Sequence, residues 1–217
     1  MIAELLPPDV GTAESSVVVS EEVLFPAERA LIDQAVAKRR AEFATARHCA
    51  RRALAEVEIG PAPVLRGSSR EPLWPYGIVG SVTHSAGYHA AAVGRITRYG
   101  SIGIDCEPHE PLPDGVLDQI CLPGERAQLV GIDDQHWDRL LFSAKESVYK
   151  TWFPLARRWL GFHDARIALR CDGTFDVQIL VHGPIRALRG RWLADDRWIA
   201  TAIALRVDQS RTNVTDG

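Results

Sequence analysis

Two short segments carry side chains whose types and spacing suit phosphate chemistry. Gly103-Ile104-Asp105-Cys106-Glu107-Pro108 reads as the end of a buried strand, an apolar run that stops in acidic residues and a proline. Period-two alternation puts Asp105 and Glu107 on one face of that strand and Cys106 on the other. Some forty residues on, Phe142-Ser143-Ala144-Lys145-Glu146-Ser147-Val148-Tyr149-Lys150 reads as a helix in which Glu146 and Lys150 stack four residues apart. Three carboxylates brought together make an all-oxygen cage suited to Mg²⁺, which completes its shell with water and substrate phosphates. The lysines would meet the same phosphates. Taken singly, each motif also reads as an ordinary acidic strand end or a solvated charged helix. The cation usage bears on that choice, because the chain has three lysines, Lys38, Lys145 and Lys150, against twenty-two arginines, and two of the three lie in this helix. An ammonium is a compact point charge with rotatable donors, which a planar guanidinium does not reproduce at a phosphate.

The elements that must position these groups are legible in outline. At 217 residues the chain holds one large domain or two small ones with ample apolar content. Pro26 to about Glu58 has helical spacing and is one long helix or two in tandem. Within it Arg39, Phe43, Arg47 and Ala50 fall at i, i+4, i+8 and i+11, and spacing alone reads as a solvated arginine stripe. Gly60 to Gly77 is a loop rich in Gly, Pro and Ser. Ile78 to Ser85, about His89 to Gly94, and Ser101 to Cys106 then form a three-stranded unit, with Thr83 and His84 at a strand end before a small-residue turn. After a Pro-rich link come Leu117 to Ile120, a helical segment around Glu125 to Val130, and the lysine helix from His136 to Trp152. Strands at Arg166–Cys171, Thr174–Val181, Leu188–Leu193 and Arg197–Leu205 close the pattern, with an Asp172-Gly173 turn between the first two.

The expected fold class is therefore α+β, sandwich-like, in two similar lobes that each pack a long helix on a small, mainly antiparallel sheet. The expected division is 1–104, with 1–20 irregular, then 105–206, then a disordered tail at 207–217. No apolar run spans a membrane and the first twenty residues lack the pattern of a signal peptide, so a cytoplasmic protein is expected. Four widely spaced cysteines suggest neither a disulfide framework nor a zinc knuckle. A net charge of −3 argues against a nucleic-acid binder, while the crowding of Arg39, Arg40, Arg47, Arg51 and Arg52 suits a small polyanion or an acidic partner. The P-loop, kinase, dinucleotide and nucleophile-elbow motifs are all absent.

The paired segments resemble the signature of 4′-phosphopantetheinyl transferases. The block Trp74-Pro75-Tyr76-Gly77-Ile78-Val79-Gly80-Ser81-Val82-Thr83-His84 looks like that of the siderophore-synthase-activating and actinobacterial members, and Lys38-Arg39-Arg40 with Glu42-Phe43 and Arg47-His48-Cys49-Ala50-Arg51 is similar to their N-terminal helix. The resemblance runs in order from about residue 36 to 205. It implies a pseudo-dimer of two lobes holding coenzyme A in their cleft, and transfer of phosphopantetheine to a serine of an apo acyl or peptidyl carrier protein with release of 3′,5′-ADP. By the same resemblance Asp105, Glu107 and Glu146 would hold Mg²⁺ (or Mn²⁺), with the Cys106 main chain close by. Glu146 or a metal-bound water would take the serine proton, and Lys145 and Lys150 would neutralise the phosphates. Arg39 and Arg47 would face the 3′-phosphate and adenine, Ser69-Arg70-Glu71-Pro72 would line the nucleotide, and Thr83 and His84 would bind phosphate. Ser69-Arg70 stands where members often carry Lys-Gly, with Arg70 supplying the cation. Two lobes in one chain imply a monomer, and the carrier is expected near the Pro-rich stretch after Pro108 and the start of the lysine helix. Two other readings remain open: a non-catalytic carrier or nucleotide-binding module, and a Mg²⁺-dependent pyrophosphohydrolase that needs no protein acceptor.

Overall fold

The computed structural model describes residues 1–127 and 136–207. In the first lobe the helix α3 (Ala37–Glu56) packs on a three-stranded antiparallel sheet of β1 (Gly11–Ser15), β5 (Tyr88–Arg95) and β4 (Ile78–Ser85), in that order. In the second, α6 (Trp137–Ala156) packs on a five-stranded antiparallel sheet in the order β6 (Tyr99–Pro108), β10 (Trp198–Arg206), β9 (Ala187–Ala194), β8 (Thr174–Ile179), β7 (Ala165–Leu169). The architecture is α+β with two lobes, as expected, although the sheets differ in strand number.

Three features depart from the sequence reading. The segment 1–20 is not wholly irregular: it holds the short helix α1 (Ile2–Leu5) and β1, an edge strand paired with β5 from Gly11↔Val93 to Ser15↔His89. Its small residues suit a close approach to α3, since a Cβ at Gly11 would stand 2.3 Å from the Ala53 carbonyl oxygen. The strand expected as third in the first unit, β6, belongs to the second sheet and pairs with β10 along its length, so it crosses the 104/105 boundary. The Pro26–Glu58 stretch divides into α2 (Pro26–Arg29), a 3₁₀ turn (Ala30–Ile32) and α3. Segment 128–130 of the helix expected around Glu125 and the tail from 208 lie outside the described residues. What is described there is α4 (Val116–Ile120) and α5 (Pro123–Arg126). Among the described residues no helix is long and apolar enough to cross a membrane.

The lobes meet where β4 lies beside β6 without a backbone ladder. Hydroxyls on β4 stand in for ladder carbonyls: the Ile104 N–H donates to Ser81 Oγ and the Cys106 N–H to Thr83 Oγ1, each at 3.2 Å. On the far side β6 is crossed closely by α6. A Cβ at Gly103 would fall 2.1 Å from the Ser147 carbonyl oxygen and 2.3 Å from Thr151 Oγ1, so only glycine admits this spacing. The acidic strand end and the lysine helix are thereby set side by side. Leu141, Ala144, Val148 and Trp152 of α6 bury against Ile167, Phe175, Val177 and Ile203 of the sheet, an apolar face at helical spacing that holds the charged face toward the cleft.

Candidate active site

Asp105 is the centre of the acidic group. Its Oδ1 accepts from Lys150 Nζ at 2.7 Å and from Thr83 Oγ1 at 3.2 Å, while its buried Oδ2 has no hydrogen-bond partner. Lys150 also donates to the Ile104 carbonyl at 3.1 Å. On the same strand face, Glu107 Oε2 accepts from Arg139 Nη1 at 3.2 Å, and Arg139 further donates to the carbonyls of Glu110 and Pro111 at 3.1 and 2.7 Å. Burial pushes the Glu107 carboxyl up to about 7, Asp105 adds to this, and Arg139 and Lys150 oppose it. Burial likewise raises the Glu146 carboxyl, with Lys150 opposing and Asp105 adding. No hydrogen bond or ion pair engages the Glu146 side chain among the described residues.

Asp105 adds to the raised proton affinity of both Glu107 and Glu146, and its own buried Oδ2 is orphaned, so the acidic group is short of positive charge. The chemistry of these donors suits a hard divalent cation, which Asp105, Glu107 and Glu146 would have to close around. Among the described residues no three such side chains are gathered tightly around one point, and Lys150 and Arg139 occupy two of the carboxylates instead. The Cys106 thiol faces away into the apolar cluster with Ile102, Ile104 and Ala200, and burial raises its pKa, so it offers no thiolate. Its N–H is committed to Thr83.

From Lys150 a cleft of about 630 Å³ runs between the lobes, with residues 69–74 and 78–82 on one wall and Tyr149, Phe153 and Arg157 on the other. Arg157 Nη1 stands 3.4 Å from Glu71 Oε1 at its rim, joining the lobes. Ser69 to Glu71 form the tip of a hairpin between β2 (Leu65–Arg66) and β3 (Pro72–Leu73). Arg70 is in the left-handed region at φ 69°, and the Glu71 carboxylate accepts from the Ser69 N–H at 3.0 Å.

Sharing Arg70, Pro72 and Val82 with this cleft is a second hollow of about 140 Å³, lined also by Arg39, Arg47, Arg66 and His84. Arg47 is only 6 % exposed, which corrects the reading of a solvated stripe. Its guanidinium lies 4.2 Å over the Phe43 ring and its buried Nε has no partner. Burial pulls its pKa down to about 10; Glu28 opposes this, and Arg51, Arg39 and Arg66 add to it. It stays charged at neutral pH, and because the one carboxylate lining the hollow, Glu42, lies 3.5 Å from Arg39 and not on Arg47, the buried guanidinium suits an anion. Arg39 Nη1 is 2.7 Å from His84 Nε2. A guanidinium can only donate, so that ring nitrogen is the acceptor, consistent with burial and Arg39 holding the His84 pKa down.

The structure thus brings Lys150, with Asp105 paired to it, to the cleft, and Arg39, Arg47, Arg70, Pro72 and His84 to the adjoining hollow, while Glu107 lies farther along the strand against Arg139 and Glu146 lines a small hollow with Lys145, Tyr149 and Trp159. It does not bring Lys145 or Thr83 to either cavity in the expected way. Lys145 Nζ contacts Glu125 Oε1 at 2.9 Å and the Phe162 and Ala165 carbonyls at 2.7 and 2.9 Å, behind α6. Thr83 faces β6 because alternation along β4 turns Val82 and His84 to the hollow instead. Arg66 and Arg139 escaped the sequence reading. Arg66 sat in a loop with no periodicity, and Arg139 was one arginine in a helix, with no local signal that it would reach back to residues 107–111.

Residues 27–94 match the profile of the 4′-phosphopantetheinyl transferase N-terminal domain, and residues 101–203 that of the 4′-phosphopantetheinyl transferase superfamily. The chain is 51% identical over 193 residues to 4′-phosphopantetheinyl transferase PptT of Mycobacterium tuberculosis, covering 83% of this chain and 85% of that one. It is 47% identical over 220 residues to 4′-phosphopantetheinyl transferase Npt of Nocardia iowensis, covering 94% and 99%. A more distant likeness, 28% over 182 residues, is to enterobactin synthase component D of Salmonella typhimurium, covering 77% and 72%.

Proposed function

Since this chain belongs to the 4′-phosphopantetheinyl transferase superfamily, we propose that it moves phosphopantetheine from coenzyme A to a serine hydroxyl of an apo carrier protein, with Mg²⁺, releasing 3′,5′-ADP. The observation that carries this reading is the adjacency of two hollows, one holding the unpartnered Arg47 and the other, which shares Arg70, Pro72 and Val82 with it, reaching the Lys150 that pairs with Asp105. A nucleotide with a ribose phosphate and a diphosphate presents two anionic ends to that pair of sites.

In this reading Arg39, Arg47, Arg66 and Arg70 hold the 3′-phosphate, and the Ser69–Pro72 hairpin lies along the nucleotide. The diphosphate lies over Lys150, whose Nζ turns from Asp105 to the phosphate oxygens as charge moves to the leaving group. Asp105, Glu107 and Glu146 would hold the divalent ion, which would supply charge neutralisation at the diphosphate. The serine oxygen forms a bond to the pantetheine-bearing phosphorus while the bond from that phosphorus to the ADP oxygen breaks. Glu146, whose proton affinity burial raises, receives the serine proton directly or through a water. The chain's contribution is positioning and charge rather than covalent chemistry. We also read it as a monomer, because one chain supplies both walls of the cleft.

The test is chromatographic. Coenzyme A and Mg²⁺ are incubated with the protein, with and without an apo carrier protein, and 3′,5′-ADP is measured. Release that requires the carrier supports the transferase; equal release without it makes the protein a hydrolase.

A further inference from the structure

Lys145 immediately precedes Glu146, yet its ammonium is turned out of the cleft. It donates to the carbonyls of Phe162 and Ala165 and forms an ion pair with Glu125 Oε1 at 2.9 Å, so its charge and donors are committed to this frame and not to the cleft. Both the Lys145 and Glu125 side chains are 1% exposed. Glu125 is equally committed: Oε1 also accepts the Ile167 N–H at 2.7 Å, and Oε2 accepts the Leu122 N–H at 2.7 Å. The pair therefore ties α6 to the start of α5, to the 3₁₀ turn at Phe162–Asp164 and to β7.

A buried ion pair adds little net stability over apolar residues of the same volume, so stability is a weak reason for this one. Geometry is a better one. Successive helical residues point about 100° apart, so pinning Lys145 behind the helix fixes the rotation of α6 and the direction in which Glu146 leaves it. Glu146 has no hydrogen-bond or ion-pair partner of its own among the described residues, so the helix alone aims it.

We propose that Lys145 and Glu125 form a rotational lock that aims Glu146 toward the Asp105–Lys150 pair, with Glu125 a positioning residue. This rests on the role given to Glu146 above, and it moves Lys145 from the phosphates to the frame behind them.

The test uses the full chain and the variants Lys145→Met, Glu125→Gln and the charge-neutral double variant. Coenzyme A affinity is measured by calorimetry in chelator, and Mn²⁺ binding by paramagnetic resonance, each alongside the Mg²⁺ concentration that half-saturates transfer. Disturbing a group that orients a metal ligand weakens the metal by about 10–100-fold, and that is the loss expected in Mn²⁺ binding for both single variants, with coenzyme A affinity in chelator within about twofold of wild type. In a Glu146→Gln background neither variant weakens Mn²⁺ further, because both act through that carboxylate. Folded variants with lowered melting temperature but unchanged Mn²⁺ binding would overturn the lock. So would a Lys145→Met loss of coenzyme A affinity in chelator that Glu125→Gln does not share, the signature of a phosphate contact. Should Lys145→Met not fold, Glu125→Gln and wild type still decide. Reductive methylation of the wild-type lysines must spare Lys145 while labelling Lys38 and Lys150, and labelling of Lys145 at the rate of Lys150 contradicts the burial on which the lock depends. Absence of transfer by wild type would instead count against the transferase reading, and the Mn²⁺ and labelling results would still judge the lock.

Discussion

Arg47 shows how far one side chain can define a ligand. It is buried over Phe43 with an unpartnered Nε, and the carboxylate that lines the same hollow, Glu42, pairs with Arg39 instead, so Arg47 is left for an external anion. A hydrogen bond to a charged group contributes about 1.5–3 kcal/mol, which corresponds to roughly ten- to a hundredfold in affinity. Arg47→Ala is accordingly expected to weaken coenzyme A by that factor while leaving 3′-dephospho-coenzyme A nearly unchanged, as read by calorimetry with the two ligands. Equal losses for both would remove Arg47 from the 3′-phosphate. Sequence spacing put Arg39 and Arg47 on one face but could not say whether that face was wet, because burial of an arginine depends on what folds over it. The same limit explains Lys145. Its motif was readable, but its direction depends on Glu125, twenty residues earlier, which carried no local signal. Asp105, Glu107, Glu146 and Lys150 were legible because strand and helix periodicity alone decide which of them share a face.

At the scale of elements, the crossing of α6 over β6 sets how near Glu146 and Lys150 come to Asp105. Gly103→Ala would drive a methyl into the Ser147 carbonyl and Thr151, forcing helix and strand apart. The expected cost is about 1–3 kcal/mol of stability, typical of overpacking, with a fall in transfer larger than any fall in coenzyme A affinity. Thermal denaturation and steady-state kinetics read the two effects. The N-terminal segment gives an element-scale test of pH. Glu14 on β1 accepts from Tyr88 Oη at 2.5 Å and from the Ile2 N–H at 2.7 Å. Burial would raise its pKa, but the Tyr88 hydroxyl and the terminal ammonium hold it below its ordinary 4.5. A depressed carboxylate stabilises the fold above its unfolded-state value and loses that contribution as pH falls through the folded one. Glu14→Gln should thus cost about 1–2 kcal/mol near pH 7, a gap that closes as pH drops below 4.5. Denaturant melts at several pH values check this, and a gap independent of pH would contradict it. Strand β1 itself escaped the sequence because Gly11, Thr12, Ala13, Glu14 and Ser15 show no apolar alternation. Strands β7 to β10 were legible because their large apolar residues alternate and an Asp-Gly turn separates the first two.

At the scale of the whole molecule, the two lobes matter because neither wall of the cleft is complete alone. The N-terminal lobe supplies the arginines and the hairpin, α6 supplies Tyr149, Lys150 and Phe153, and Asp105, paired with Lys150, sits on the strand between them. The sequence suggested two lobes from two long helices but placed β6 in the first, because chain order does not show which sheet a connecting strand joins. The central claim, that this arrangement transfers phosphopantetheine to protein, is tested most directly by the intact mass of an apo carrier protein after incubation with this protein, coenzyme A and Mg²⁺. The expected result is a gain of one phosphopantetheine per carrier that disappears with Glu146→Gln and with metal chelation. An unchanged carrier mass across several carrier types, with coenzyme A still bound to the protein, would contradict the account and leave a binding module in its place.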